Sequence, residues 1–177
     1  MILREEDLIK KNLQNVHLEQ KVLKWGHKYL KHLYANYLFC SFENKHSKER
    51  LVSNTHPLWH KNFIDSKLID HCPLYAASIS SAKRLAMGRD LFLWNQIIPE
   101  GKEQREVVTM RKEHGIANGI SMTEYTKDYQ LIVGVATDPC DHELEKKWML
   151  LMPKIITLFA EIRNYCFQER VSLDKDV

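Results

Sequence analysis

Three short groups of residues carry the side chains best suited to metal or nucleophilic chemistry. They are Asp70-His71-Cys72, Cys140-Asp141-His142, and the pair His56 and His60, which stand four residues apart. Adjacent residues along a chain rarely point at one metal ion, and no zinc-finger spacing is present. The sequence therefore predicts no metal site, and no cofactor is expected.

Catalysis is the second chemistry that these groups suggest. Cys72 paired with a histidine would make a nucleophile, but no feature of the sequence pairs it with a particular histidine. The chain contains no GxSxG, HExxH, phosphate-binding loop or dinucleotide-binding fingerprint. We therefore expect a protein that is not an enzyme.

The whole chain has the composition of an ordinary globular domain. Its 177 residues are 44% hydrophobic and 28% charged, which argues against disorder. This length suits one core, so a single domain over residues 1–177 is expected. A formal net charge of +3 is too small to predict binding to nucleic acid or membrane. The acidic N-terminus, the short apolar runs and four widely spaced cysteines predict a cytoplasmic protein with reduced thiols.

The chain alternates between helical and strand-like patterns. At the N-terminus, apolar residues recur at spacings of three and four on one helical face: Leu18, Val22, Trp25, Tyr29 and Leu33. Further helices are predicted from Pro57, over residues 102–114, and at the C-terminus. Strands are predicted at residues 37–42, 49–53, 91–94, 120–125 and 129–136. Residues 74–90 follow neither pattern clearly.

The long C-terminal helix carries an apolar stripe: Leu144, Trp148, Leu151, Ile155, Phe159 and Ile162. Pro153 interrupts the stripe and predicts a kink, or a break into two helices. The order of elements places helices on both faces of a sheet. The expected fold is therefore α+β, a three-layer α-β-α sandwich of the PAS/GAF-like kind with a mostly antiparallel five-stranded sheet.

Three motifs, in this order, resemble the autoinducer-binding domain of LuxR-type transcription regulators. The first is Thr55-His56-Pro57-Leu58-Trp59-His60-Lys61-Asn62-Phe63, followed by Cys72-Pro73. The second is Leu93-Trp94, and the third is Gly115-Ile116-Ala117-Asn118-Gly119-Ile120-Ser121. The resemblance covers residues 37 to 165. It implies a domain of a quorum-sensing regulator that holds a signal molecule between the sheet and one helical layer.

In that family the ligand is an acyl-homoserine lactone, held in a mostly apolar pocket by a few directed polar groups. A tryptophan N–H bonds the lactone carbonyl, an aspartate accepts the amide N–H, and a tyrosine with a Ser or Thr holds the acyl carbonyl. By position, the resemblance implies these ligand-binding residues: Thr55, Trp59, Phe63, Cys72, Trp94, Ser121 and Gly134.

Several of these positions depart from the family pattern. Cys72 stands in place of the aspartate, and a thiol is a weak acceptor. Thr55 and Phe63 stand in place of tyrosines, and Gly134 falls near a polar position of the last strand. We therefore expect a small apolar signal molecule, either less polar than an acyl-homoserine lactone or with a different headgroup. The alternative is a ligand-free dimerisation or protein-interaction scaffold of the same fold, whose pocket would be filled by side chains.

The family usually continues with a helix-turn-helix of roughly 60 residues that reads DNA. None fits in the polar tail Gln168–Val177, so contact with DNA is expected only through a domain absent from this chain. The expected partner is a second copy or a full-length regulator. The candidate dimer surface is Trp148, Phe159 and Ile162 on the C-terminal helix. The alternative is that this stripe covers the sheet.

Overall fold

The structure, a computed structural model, describes residues 5–85 and 88–173. The helices are α1 (Glu5–Tyr29), α2 (Pro57–Asp65), α3 (Pro73–Leu85), α4 (Gly101–Glu113) and α5 (Glu143–Leu173). The strands are β1 (Tyr37–Asn44), β2 (Arg50–Asn54), β3 (Gly88–Leu93), β4 (Asn118–Tyr125) and β5 (Tyr129–Thr137). Short 3₁₀ turns lie at Leu30–Leu33, Leu68–His71 and Trp94–Gln96. The last four residues of the predicted polar tail, 174–177, lie outside the described residues.

The five strands form one sheet in the order β2-β1-β5-β4-β3, and every neighbouring pair is antiparallel. The register places Cys40 opposite Val133 and Ser121 opposite Gly134. Successive side chains of a strand point to opposite faces, so each strand contributes to both faces of the sheet. The expected five-stranded sheet is confirmed.

One face of the sheet packs against α1 and α5. Its core contains alternate residues of the central strands and the inward stripes of the two helices, among them Val22, Leu33, Leu38, Leu131, Val133, Val135, Leu158 and Ile162. The opposite face packs against α2, α3 and α4, and its core includes Tyr37, Trp59, Phe63, Phe92, Trp94, Val107 and Ala136. Helices thus cover both faces, which confirms the three-layer α-β-α sandwich.

A charged network lies on the face that packs against α5. The Glu124 carboxylate is buried, and it pairs with Arg89 Nε at 2.5 Å and with Arg163 Nε at 2.9 Å. The Tyr129 hydroxyl donates a third hydrogen bond to it. Burial opposes ionisation of Glu124, but these bonds outweigh it and lower the pKa of its carboxyl. The network joins β3, β4, β5 and α5.

Helix α3 is the element that the sequence pattern did not predict. It begins at Pro73, a residue favoured in the first turn of a helix. Its inward side carries small polar residues, because Ser78 and Ser81 are both buried. Ser78 Oγ is satisfied within the helix by the Leu74 carbonyl at 2.9 Å. An inward face of serines has no apolar periodicity, so the usual helical signal was missing.

Helix α5 runs without interruption through Pro153, so the predicted break into two helices is wrong. Pro153 lies on the exposed side of the helix, whereas its neighbours Leu151 and Ile155 are buried against the sheet. Tertiary packing on both sides of the proline therefore holds the helix together despite the missing N–H. No helix within residues 5–85 and 88–173 is long and apolar enough to cross a membrane.

The apolar stripe of α5 covers the sheet. Phe159 and Ile162 are 2% and 0% exposed, so the prediction that they form a dimer surface is wrong. Trp148 is half-buried against the same core. Within residues 143–168 of α5, the exposed large apolar side chains are Met149, Leu150 and Ile156.

Candidate functional site

A mostly apolar cavity of about 40 Å³ lies between the sheet and the α2–α4 layer. Its walls on the sheet side, including the turn after β3, are Tyr37, Phe39, Trp94, Ser121 and Ile132. Its walls on the helical side are Trp59, Phe63, Cys72, Leu74, Tyr75, Ser78 and Arg111. At 10–15 Å³ for each water molecule, this volume has room for roughly three. The aromatic side chains therefore fill most of the space between the two layers.

The strand register determines which residues reach the cavity. Odd-numbered residues of β1 and β4 and even-numbered residues of β5 share this face, because β1 and β4 each pair with β5 in antiparallel register. Phe39, Gly134 and Ser121 consequently form one row across three adjacent strands. Their alternate neighbours belong to the core under α1 and α5.

Five of the seven predicted site residues line the cavity: Trp59, Phe63, Cys72, Trp94 and Ser121. Gly134 lies in the sheet beneath Trp94, where a Cβ atom would stand 3.3 Å from Trp94 Cζ2 and 3.4 Å from Ser121 Oγ. The structure therefore brings six of the predicted residues to one place between sheet and helices.

Thr55 is the predicted residue that the structure places elsewhere. Its Oγ1 accepts a hydrogen bond from the Leu38 backbone N–H at 3.0 Å. A Cβ atom at Gly26 would stand 2.8 Å from its methyl group, so Thr55 lies against α1. Thr55 thus joins β1 and the N-terminal helix and does not line the cavity.

Trp94 is held in place by strand β4. Its Nε1 donates a buried hydrogen bond of 2.9 Å to Ser121 Oγ. Gly119 leaves room for the indole, since a Cβ atom there would stand 2.8 Å from Trp94 Cδ2 and 2.6 Å from the Val135 carbonyl oxygen. The third motif of the sequence, with its glycine and serine, therefore packs beneath the second tryptophan.

Trp59 enters the cavity from α2 and is 1% exposed. Its ring stacks on Phe63 at 5.2 Å between centroids and lies 5.2 Å from the ring of His114. Burial raises the pKa of the Tyr37 hydroxyl well above its usual range, and a hydrogen bond from Trp59 acts in the opposite direction. The indole N–H groups of Trp59 and Trp94 thus both have partners within the protein.

Arg111 is the charged residue of the cavity lining, and sequence analysis missed it. It comes from α4 and is 6% exposed, and its Cζ lies 4.8 Å from the centroid of the Trp94 ring. Among the described residues, its Nε and Nη1 have no hydrogen-bond partner. Burial lowers the pKa of this guanidinium, while Cys72 and Tyr37 act to raise it.

A signal for Arg111 was present in the sequence. Arg111 follows Val107 by four residues, so the two share one face of α4, and Val107 is 1% exposed. The rest of the helix is so polar that a solvated arginine was the natural interpretation. Tyr37, Phe39 and Tyr75 were also missed as lining residues, because their positions depend on strand pairing and on α3.

The metal-type groups of the sequence do not assemble. Within the part of the chain that the structure describes, no three His, Cys, Asp or Glu side chains lie close enough to hold a metal ion. Asp70 is exposed while Cys72 is buried, so these near neighbours point apart. His60 pairs with Asn54 at 3.1 Å, and His56 lies edge-on to Tyr37.

The sheet order and the helices on both of its faces define a known fold. The fold is that of the ligand-binding domains of LuxR-family transcription regulators. No protein-family model matches the chain, and no curated protein matches it.

Solved structures of this class share the fold at low sequence identity. One is CepR2 from Burkholderia cenocepacia, an N-acylhomoserine lactone dependent LuxR family transcription factor, with a TM-score of 0.56, 13% identity, and 90% of this chain and 97% of that chain covered. Another is the LBD domain of VqsR from Pseudomonas aeruginosa, with a TM-score of 0.58, 13% identity, and 89% and 97% covered. SdiA in complex with octanoyl-rac-glycerol matches with a TM-score of 0.51, 9% identity, and 92% and 69% covered. At such identities the likeness establishes the fold.

Proposed function

We propose that this domain is the small-molecule sensor of a LuxR-type transcription regulator and works in the cytoplasm. The supporting observation is the convergence of Trp59, Phe63, Cys72, Trp94 and Ser121 on one mostly apolar cavity between the sheet and the α2–α4 layer. An apolar cavity with a few directed polar groups is the usual form of a small-molecule site.

The ligand that suits this cavity is small and mostly apolar. CepR2 depends on an N-acylhomoserine lactone, and SdiA binds octanoyl-rac-glycerol. In this chain the Trp94 N–H is bonded to Ser121, and the Trp59 N–H bonds Tyr37. Neither is free to hold a lactone carbonyl, and a thiol replaces the aspartate. A volume of about 40 Å³ further requires a compact ligand, or a widening of the cavity when the ligand binds.

Ligand binding would be detectable as an increase in the stability of the domain and as a change in its association with a partner. A ligand that completes the core binds the folded state alone, so it stabilises the domain and shifts the population toward the competent form. The partner we propose is a second copy of the chain or a full-length regulator. The exposed apolar side chains Met149, Leu150 and Ile156 of α5 offer the contact surface. DNA would be reached only through another domain.

The test is native mass spectrometry of the purified protein, compared with its mass after denaturation and extraction. We expect a retained small molecule, which the extraction identifies, and the same spectra give the oligomeric state. The retained ligand, added back at one hundred times its Kd, should raise the melting temperature by about 5–10 °C.

A second function, a ligand-free interaction scaffold, is favoured by the small cavity and by the internally bonded tryptophans. The same experiment separates the two functions. A mass equal to that of the bare chain, together with no thermal shift across N-octanoyl-homoserine lactone, octanoylglycerol and small aromatic compounds, would contradict the sensor and support the scaffold.

A further inference from the structure

Arg111 places a full positive charge against an otherwise mostly apolar cavity. Moving an ion from water into such surroundings costs several kcal/mol unless it is paired and hydrogen-bonded. A purely structural core rarely tolerates this cost, whereas binding sites often contain such groups.

The protein does not supply the missing partner from within its described part. Among the side chains that the structure describes, no carboxylate forms an ion pair with Arg111, and its Nε and Nη1 lack acceptors. The titratable groups that act upon it are the thiol of Cys72, which also hydrogen-bonds it, and the phenol of Tyr37. Both side-chain types are ordinarily neutral at pH 7.

The contact with Trp94 satisfies the charge only in part. The indole ring offers its π electrons to the cation at 4.8 Å, but it provides no lone pair for an N–H bond. The contact also fixes where the guanidinium lies, directly beside the cavity. Because these N–H donors are already held in one orientation, binding an acceptor to them carries a smaller ordering cost.

The anion that a guanidinium matches best in size and geometry is a carboxylate, which accepts two parallel hydrogen bonds from it. The remaining cavity wall is mostly aromatic and aliphatic, including Phe63, Leu74 and Ile132. A ligand that satisfies both parts has a carboxylate at one end and a short hydrocarbon or aromatic body.

We propose that the domain senses a small apolar carboxylic acid, whose carboxylate binds Arg111 and whose hydrocarbon part lies among Phe63, Leu74 and Ile132. This inference rests on the proposed sensor function and assigns its ligand class. The assignment explains why Cys72 can replace an aspartate, because a second carboxylate beside the ligand would repel it.

The experiment compares acids with their uncharged amides by isothermal titration calorimetry at pH 7.5. The probes are benzoate against benzamide and hexanoate against hexanamide. We expect the unaltered domain to bind at least one acid ten times or more tightly than its amide. The Arg111→Met variant should lose that preference and bind both members of the pair with similar affinity. Met keeps an apolar body beside Trp94, so the variant should fold.

Arg105→Met is the matched control. Arg105 lies on the same helix but is exposed, so its removal changes the net charge equally and leaves the cavity intact. It should keep the tenfold preference for the acid. Equal loss in Arg105→Met and Arg111→Met would attribute the effect to net charge and overturn the assignment. Arg111→Lys, which retains the charge, should keep part of the preference.

The outcomes separate the ligand class from the function. Equal affinity for acid and amide in the unaltered domain overturns the carboxylate but leaves the sensor in place, since a neutral ligand then binds. A neutral molecule retained in native mass spectrometry would likewise overturn the carboxylate and leave the sensor in place. If Arg111→Met does not fold, the ratio of the affinities of the unaltered domain for acid and amide still tests the carboxylate assignment. Absence of binding by every probe, together with no retained molecule, overturns both proposals.

Discussion

The buried hydrogen bond from Trp94 Nε1 to Ser121 Oγ holds the indole in one wall of the cavity. Ser121 stands on β4 directly opposite Gly134, and its Oγ accepts the indole N–H from the turn after β3. Without this acceptor the indole would keep a buried donor with no partner in the protein. Arg111 lines the same cavity beside the Trp94 ring, and its Nε and Nη1 donors have no partner among the described residues.

The Ser121→Ala variant tests this interpretation of the bond. Loss of the acceptor leaves the Trp94 N–H buried and unsatisfied, so the free energy of unfolding should fall by about 1–3 kcal/mol. Urea denaturation followed by circular dichroism measures the change. Ser80→Ala is the control, because Ser80 is exposed on α3, and it should change stability by less than about 0.5 kcal/mol. Equal effects of the two variants would show that the bond contributes nothing.

The residues that sequence reasoning found are those that a local pattern marks. Trp59 follows a proline that begins a helix, and Ser121 follows a glycine that the indole of Trp94 requires. Arg111 has only a weak local signal, its spacing of four from Val107, because its burial depends on how α4 packs against Trp94. Thr55 fits its position in the motif, but its side chain bonds the Leu38 backbone N–H and lies against α1, so it does not line the cavity.

At the scale of elements, helix α5 shows how tertiary packing overrides a local signal. Pro153 predicts an interruption, yet 31 residues form one helix, since buried residues on either side of the proline anchor it to the sheet. Helix α3 is the converse case, a helix with a weak signal because small polar residues face inward. The predicted strands were all found, because each is a short alternating or apolar run of the kind that forms a strand.

The Pro153→Ala variant should stabilise the protein. Alanine restores a backbone N–H to the middle of α5 and removes the ring that crowds the preceding turn, and Pro153 makes no buried contact that would be lost. The free energy of unfolding should rise by about 1–3 kcal/mol. Thermal and urea denaturation measure it, with Lys154→Ala as an exposed neighbour on the same helix. A decrease in stability would mean that α5 needs the proline geometry to follow the sheet.

For the whole molecule, buried polar groups occur on both sides of the sheet. On the side of α1 and α5, buried Glu124 is paired with Arg89, Arg163 and Tyr129. Within the described residues, unpartnered polar atoms occur on that side at Ser53 and Glu145, and on the cavity side at Arg111, Thr123 and Gln130. Arg111 is the one of these residues that lines the cavity.

Stability should depend on pH through two partly buried histidines at the start of α2, His56 and His60. Burial lowers the pKa of His56 below its ordinary value of about 6.5, and the charge of nearby His114 lowers it further. Burial also lowers the pKa of His60, against the opposing charges of Glu19 and Asp65. The folded state thus prefers neutral rings. Their contribution is fully present above pH 6.5 and is lost as the pH falls from there through the lower folded pKa values.

The measurement is the melting temperature between pH 8 and pH 5. We expect a decrease below about pH 6.5, and a shallower decrease in the His56→Gln variant. His17→Gln is the control, because His17 is exposed on α1, and it should follow the unaltered protein. Identical slopes in all three proteins would assign the acid sensitivity to other groups.

The alternation of side chains along β4 and β5 has a consequence for how such a domain can change over time. Each strand carries two interleaved sets of residues, and only one set meets the cavity. Under the proposed sensor function, substitutions at Ser121, Ile132 or Gly134 would alter ligand recognition, whereas Ile120, Val133 and Val135 would continue to hold the sheet on α1 and α5. One set of positions can therefore vary its chemistry without disturbing the packing that maintains the fold.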